Sequence, residues 1–367
     1  MTYFRLTPLA DALPDTVPFV GPETQERARG NLFDARLGAN ENVFGPSPAA
    51  IRAMAETPLW MYGDPENHDL RHALAQHYTI PADTIMVGEG IDGLLGYLVR
   101  LMVGPGDSVV TSDGAYPTFN YHVAGFGGTL HKVPYRKDHE DPVALFKKAQ
   151  ETKAKLVYIS NPDNPMGSFL KGDDLLAAME HLPEGTLLVL DEAYIECAPD
   201  TAELALPWDD PRVVRLRTFS KAYGLAGARV GYAIGAPELI AAFNRVRNHF
   251  GMNRASQEGA LAALQDQTWL RSVLARIVAS RFRIMETARN CGLKPLPSAA
   301  NFVCIDCGHD GAFAAKVLEH MVTDGVFVRM PFVAPQNRCI RVSCATPAQI
   351  DILADALPRA LRFAESS

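Results

Sequence analysis

The chain has 367 residues, 47% hydrophobic and 21% charged, the balance of a folded globular protein rather than a disordered one. Its net charge of -7 arises from 42 acidic and 35 basic residues that are interspersed, with no basic patch or arm suited to nucleic acid. No apolar run approaches the ~18 residues of a membrane span, and residues 1–8 lack the basic-then-apolar pattern of a signal peptide, so a cytoplasmic protein is expected.

At roughly 100–200 residues per domain, this length predicts one large and one smaller domain. The Pro-rich beginning, up to about Ala39, has no core of its own and is expected to pack against the smaller one. Seven strand-like runs then follow at 85–87, 108–111, 128–133, 155–159, 186–190, 212–216 and 230–234, with helical patterns between them such as 93–102 and 172–181. Several of the runs are continuously apolar, as in strands covered on both faces. Strand alternating with helix predicts an α/β fold with a mainly parallel sheet. After about Asn248 the texture changes to helical stretches at 256–265 and 268–290, then strand-like runs at 301–306, 325–329 and 339–343. The expected division is 40–248 for the large domain, and 1–39 with 249–367 for a small α+β domain. Of the six cysteines, Cys304 and Cys307 form a C-x-x-C pair, but strand alternation puts them on opposite faces, so buried reduced thiols are expected.

Ligand groups gather at the carboxyl ends of parallel strands, and five polar motifs follow strand runs here. Gly88-Glu89-Gly90-Ile91-Asp92-Gly93 precedes a helix, and its exposed N–H groups suit a phosphate as well as they suit an ordinary turn. In Asp113-Gly114-Ala115-Tyr116-Pro117, Tyr116 offers a flat face for stacking, or a half-buried core ring. Asn161-Pro162-Asp163-Asn164-Pro165-Met166-Gly167 is a rigid, non-helical loop that aims amide side chains at one point. Asp191, after the apolar 187–190, needs a partner to stay ionised inside the protein. A metal at Asp191-Glu192 would lack any nearby histidine. The fifth motif, residues 218–229, sets Lys221 among small and hydroxylated residues with no acid before Arg229. A lysine poor in counter-ions has a lowered pKa and becomes an amine nucleophile, the requirement for a Schiff base with an aldehyde. Ser220 and Arg229 add a hydroxyl and a fixed cation suited to a phosphate dianion.

Taken together, in this order over residues 85–235, the five motifs resemble those of fold-type I pyridoxal-phosphate (PLP) aminotransferases, within the histidinol-phosphate aminotransferase-like group. Leu37-Gly38-Ala39-Asn40-Glu41-Asn42 is similar to that family's opening motif, and Tyr62-Gly63-Asp64-Pro65 to its Y-x-D-P element. The resemblance implies PLP held by Lys221 and Asp191 facing the pyridinium nitrogen. It implies Tyr116 on the ring, and Asn164 and Tyr194 on the phenolic oxygen. The phosphate would fall to Ser220, Arg229, the amides of Ile91 and Asp92, and Tyr62 of the partner subunit in a homodimer with shared sites. Asn40 and Arg341 would meet the substrate, with Arg341 clamping an α-carboxylate and Arg329 a distal anionic group. Three positions depart from the family's usual residues: Gly63 for proline, Gly93 for glutamate and Met166 for threonine. The implied reaction moves an amino group from a histidinol phosphate-like or aromatic donor to 2-oxoglutarate. A PLP decarboxylase of a phosphorylated amino acid is the alternative, and a non-enzymatic PLP-binding regulator a remoter one.

Overall fold

The computed structural model describes residues 4–15 and 20–366; residues 1–3 and 16–19 of the Pro-rich beginning lie outside the described residues. Its strands are β1 (Ala35–Arg36), β2 (Ile85–Gly88), β3 (Ser108–Ser112), β4 (Thr129–Val133), β5 (Leu156–Ser160), β6 (Leu187–Asp191), β7 (Val213–Thr218), β8 (Gly231–Ile234), β9 (Lys294–Pro295), β10 (Phe302–Asp306), β11 (Val326–Phe327) and β12 (Cys339–Ser343). All seven strand-like runs between 85 and 234 are strands of one sheet, ordered β2-β8-β7-β6-β5-β3-β4. The neighbours β7-β6-β5-β3-β4 run parallel, while β8 is antiparallel to both β7 and β2.

Side-chain alternation divides this sheet's core in two. Leu156, Tyr158, Leu187, Val189, Val214 and Leu216 pack on one face with Leu94 and Leu98 of the helix Gly90–Met102 and Phe119 of the helix Pro117–Gly125. Val157, Ile159, Leu188, Leu190 and Val213 pack on the other, with Leu145 and Phe146 of the helix Pro142–Thr152 and Leu175 of the helix Gly172–Ala178. Period-two alternation across a doubly covered sheet explains why these runs read as unbroken apolar stretches.

The direction of each strand decides which chain segments reach one edge. Strands β2, β3, β5, β6 and β7 all end there. Because β8 runs the other way it begins there, which brings Arg229, two residues before β8, to the ends of its neighbours.

The rest of the chain forms a three-stranded antiparallel sheet, β12-β10-β9, and a parallel pair, β1-β11. The helices Gln267–Asn290, Gly311–Thr323 and Pro347–Ser366 pack around these strands, while Arg254–Gln265 packs on the helices Pro48–Glu56 and His68–Tyr78. The β1 pairing, Ala35 to Val326 and Arg36 to Phe327, ties the beginning of the chain to its last third. The expected strand 325–329 is only Val326–Phe327; Arg329 lies beyond it in an isolated bridge to Arg341. The helix expected from 93 starts at Gly90, so Ile91 and Asp92 sit in its first turn. All six cysteines are free thiols, five of them buried.

Glu192 follows Asp191 and therefore faces the opposite way. There it meets Arg215 and Arg217, alternate residues of β7, at 3.5 and 2.7 Å, all three being nearly inaccessible. Arg215 also donates to the Leu204 and Leu206 carbonyls, Arg217 to Tyr78 and to the half-exposed Glu203 at 3.1 Å, and the Trp208 ring lies against both arginines. Removing one member of a buried ion cluster strands the remaining charges. Glu192→Ala is therefore expected to cost about 3–5 kcal/mol, read from the urea midpoint; an unchanged midpoint would show the arginines to be satisfied without it.

Candidate active site

Lys221 lies three residues past β7, half-buried at the common strand edge. Its Nζ donates to the Asn40 carbonyl at 3.3 Å and stands 5.6 Å from the Tyr194 ring centre. Among the described residues no carboxylate is ion-paired with it. Burial first, then the positive Arg341 and Arg229, pull its pKa down to about 8. The amine is thus largely available as a free base in mildly alkaline solution, as the local sequence suggested.

Asp191, at the end of β6, is buried beside it. Its Oδ2 accepts from the Tyr158 hydroxyl at 2.7 Å and its Oδ1 from the Ala193 N–H at 3.0 Å. Burial raises its pKa to about 6, against the pull of those two donors. Tyr158 was not anticipated. It sits on the same sheet face as Asp191, stacked on Phe119 at 4.7 Å. A hydroxylated residue in the otherwise aliphatic run 156–159 was the available signal.

A second group gathers around Asn40, whose backbone adopts a φ of 55°. Its carbonyl receives Lys221 Nζ and Asn301 Nδ2, its Nδ2 donates to the Tyr194 hydroxyl at 3.0 Å, and its Oδ1 accepts from Ser343 Oγ at 3.1 Å. Ser343 and Asn301 were also missed; both are small polar residues whose roles arise only when β10 and β12 meet the chain near Asn40. Arg341 Nη1 donates to Asn164 Oδ1 and its Nη2 to the Gly38 carbonyl, while its Nε is buried without a partner. With Asn164 Oδ1 taken, that side chain keeps its amide hydrogens for another acceptor.

A third group lies at the start of the helix Gly90–Met102. Arg229 reaches Ser220 Oγ at 3.2 Å and Asp92 Oδ2 at 3.5 Å, and Tyr116 donates to Asp92 Oδ1 at 3.1 Å. Gly90 has φ +78°, and a Cβ there would come within 2.6 Å of the Arg229 guanidinium. A Cβ on Gly231 would strike the Gly90 backbone at 2.8 Å, so two glycines let β8 and the helix start approach.

Two predicted residues stand apart. Arg329 is joined to Arg341 through the backbone, and its guanidinium donates to the Val20 carbonyl. Burial and the nearby Arg341 lower its pKa to about 10. Tyr62 is 78% exposed, with its ring 4.8 Å from that of Phe250, and no hydrogen bond links it to the three groups above.

Residues 35–357 match the family described as "Aminotransferase class I and II". The chain belongs to the class I and II aminotransferases. It is 36% identical over 340 residues to histidinol-phosphate aminotransferase 1 of Mesorhizobium japonicum, covering 89% of this chain and 90% of that one. Among solved structures, the histidinol-phosphate aminotransferase of Sinorhizobium meliloti in complex with pyridoxal-5'-phosphate superimposes with a TM-score of 0.94 at 51% identity, over 98% of both chains. Thermus thermophilus aspartate aminotransferase with maleate shares the fold alone, with a TM-score of 0.80 at 19% identity, covering 98% of this chain and 100% of that one. These relatives are aminotransferases, which leaves the decarboxylase and regulator alternatives without support.

In this aminotransferase, the Tyr158 hydroxyl stabilises the ionised form of Asp191. Tyr158→Phe removes that donor, so the Asp191 pKa is expected to climb above about 6, read by carboxyl ¹³C resonances against pH. A midpoint that stays put or falls would show that Tyr158 does not hold the carboxylate.

Proposed function

We propose that the chain is a PLP-dependent transaminase that takes the amino group of a histidinol phosphate-like donor and passes it to 2-oxoglutarate. The observation that carries the reading is the meeting, at one sheet edge, of a lysine of lowered pKa and a buried carboxylate, neither of which is held in a salt bridge among the described residues. The remaining residues fit the same cofactor. Asp191 has donors from Tyr158 and Ala193 but, among the described residues, no salt-bridged cation, which a protonated pyridine nitrogen would provide. The helix start that Gly90 keeps open beside Arg229 and Ser220 suits a phosphate, with N–H groups of Ile91 and Asp92 in its first turn. Asn164 has free amide hydrogens and Tyr194 a hydroxyl for the phenolic oxygen, and Tyr116 has a ring face to offer.

When bound, the cofactor supplies an aldehyde that captures amines and a ring that withdraws electrons from the donor's α-carbon. Asp191 would hold a proton on the ring nitrogen. Lys221 would hold the cofactor's aldehyde and would move the proton at the donor's α-carbon, its lowered pKa suiting it to act as base and acid near neutrality. Arg341, with an unpartnered Nε and its fork at the site, meets the α-carboxylate of glutamate or 2-oxoglutarate. Asn40 holds Tyr194 and the substrate side of the cleft together. Arg329, next to Arg341 across the bridge, is the cation for a distal phosphate, which would take the place of the Val20 carbonyl.

The same reading includes a homodimer. Leu59, Trp60 and Tyr62 are each more than 75% exposed, and Phe250 beside them is 56% exposed. An apolar loop of that kind calls for cover, and Tyr62 of the partner subunit would then reach the phosphate. It also includes the division into residues 40–248 and residues 1–39 with 249–367. A cytoplasmic location fits six free thiols, and among the described residues no helix is long and apolar enough to cross a membrane.

Borohydride reduction of the holoenzyme followed by peptide mapping is expected to fix the cofactor on the Lys221 peptide. Label on another lysine would refute the site. Arg329→Ala is expected to cut kcat/KM for a phosphorylated donor about ten- to a hundredfold, the loss of one charge-assisted contact of roughly 1.5–3 kcal/mol. An unphosphorylated donor should be spared, and equal losses would exclude Arg329 as the phosphate ligand. Arg341→Ala is expected to harm the glutamate half-reaction more than the histidinol phosphate half-reaction, since histidinol phosphate has no carboxylate; half-reactions followed by absorbance would reveal the difference.

A further inference from the structure

Beneath the loop that carries Asn164, two carboxyl groups are buried together with no cation. Glu140 and Asp163 are 3% and 2% exposed. Glu140 Oε1 accepts from the Ser160 N–H at 2.8 Å and the Ser160 hydroxyl at 3.0 Å, and its Oε2 from the Ser112 hydroxyl at 2.6 Å. Asp163 Oδ1 lies 2.8 Å from the Tyr135 hydroxyl and 3.1 Å from the same Ser160 hydroxyl, while Oδ2 accepts the Met166 N–H at 2.9 Å. Ser160 has one hydroxyl hydrogen and cannot serve both acids. The titratable groups facing the pair are Tyr135, Tyr158 and Cys304, each held neutral by burial. Among the described residues no lysine or arginine is paired with either acid; the nearby Arg338 is committed to Asp138 and Asp306.

Two buried anions sharing one serine would repel one another without compensation, so one must hold a proton. We infer that Glu140 and Asp163 share a single proton, donated from Glu140 to Asp163, and that this acid pair is the clasp that sets the position of Asn164. The path from clasp to site is short. Asp163 precedes Asn164 and anchors the Met166 N–H on its far side, and the Asn164 N–H itself points at Ser160 Oγ at 3.4 Å. Asn164 in turn receives Arg341. Both acids are positioning residues. Their effect on catalysis rests on the PLP reading, because Asn164 matters there as a ligand of the cofactor; the shared proton does not. Burial, followed by the negative Asp163, pushes Glu140 up to about 8, and a hydrogen bond from Glu140 helps hold Asp163 down against its own burial.

The test compares wild type, Glu140→Gln and Glu140→Ala as holoenzymes. The folded protein keeps the Glu140 proton where the unfolded chain has lost it, so the stabilisation is complete below pH 4.5 and disappears as the pH rises to about 8. The urea midpoint of wild type relative to Glu140→Gln is therefore expected to fall across that interval and to be level above it. Curves that stay parallel throughout would eliminate the shared proton, whether or not the protein binds PLP. The glutamine amide can donate to Asp163 as the protonated acid does. Glu140→Gln is thus expected to retain the pH midpoint of the cofactor's absorbance, whereas Glu140→Ala shifts it and lowers kcat/KM about ten- to a hundredfold, as a displaced site group does. If alanine and glutamine leave the same absorbance midpoint, or if glutamine is as damaging as alanine, the pair does not position Asn164. Should Glu140→Ala fail to fold, Glu140→Met, close to glutamine in size but with no hydrogen to donate, takes its place in the absorbance and kcat/KM comparisons, and the glutamine urea curves still decide the proton.

Discussion

A parallel sheet covered on both faces leaves its polar chemistry only one place to go. Along β5, β6 and β7 alternate side chains are committed to one apolar core or the other, so a group that must meet a ligand has to lie at a strand's end or just past it. Asp191 is the last residue of β6, Lys221 comes three residues after β7, and Asn164 four after β5. The antiparallel β8 adds Arg229 from the reverse direction. The site is this edge, closed from the other side by Asn40, Arg341 and Ser343.

The same constraint makes every polar group at the edge depend on a second one behind it. Asp191 rests on Tyr158, Asn164 on Arg341 and on the acids below its loop, and Lys221 on the Asn40 carbonyl. Glu192 shows the alternation at its sharpest. One residue along from Asp191, it faces the opposite core and is spent on Arg215 and Arg217. Two adjacent acids thus face the candidate site and a buried ion cluster separately, because a strand turns successive side chains to opposite sides.

The strands from 85 to 234 were readable because each is a run of aliphatic or β-branched residues with no competing helical period. The aminotransferase motifs were readable because their polar residues interrupt that pattern at strand ends, where a purely structural need is weak. Tyr158, Asn301 and Ser343 escaped notice because each belongs to a run that its neighbours already explain, and Glu140 because it lies in a loop between elements; the partner of each is distant in the chain: Tyr158 with Asp191, Glu140 with Ser160, Asn301 and Ser343 with Asn40. The strand expected at 325–329 was overread, because Arg329 leaves β11 for a single bridge with Arg341. Apolar content alone does not mark where a ladder stops.

The pairing of Ala35 with Val326 has a consequence for assembly. The seven-stranded sheet is built from one continuous stretch, 85–234, and can form while the remainder of the chain is still being synthesised. The β1–β11 contact closes a loop of about four-fifths of the polypeptide, a slow and entropically costly event. Asn40 lies just beyond β1, and its partners Ser343 and Asn301 belong to the last strands made. A nascent chain therefore carries Lys221 and Asp191 well before Asn40 can meet Ser343 and Asn301.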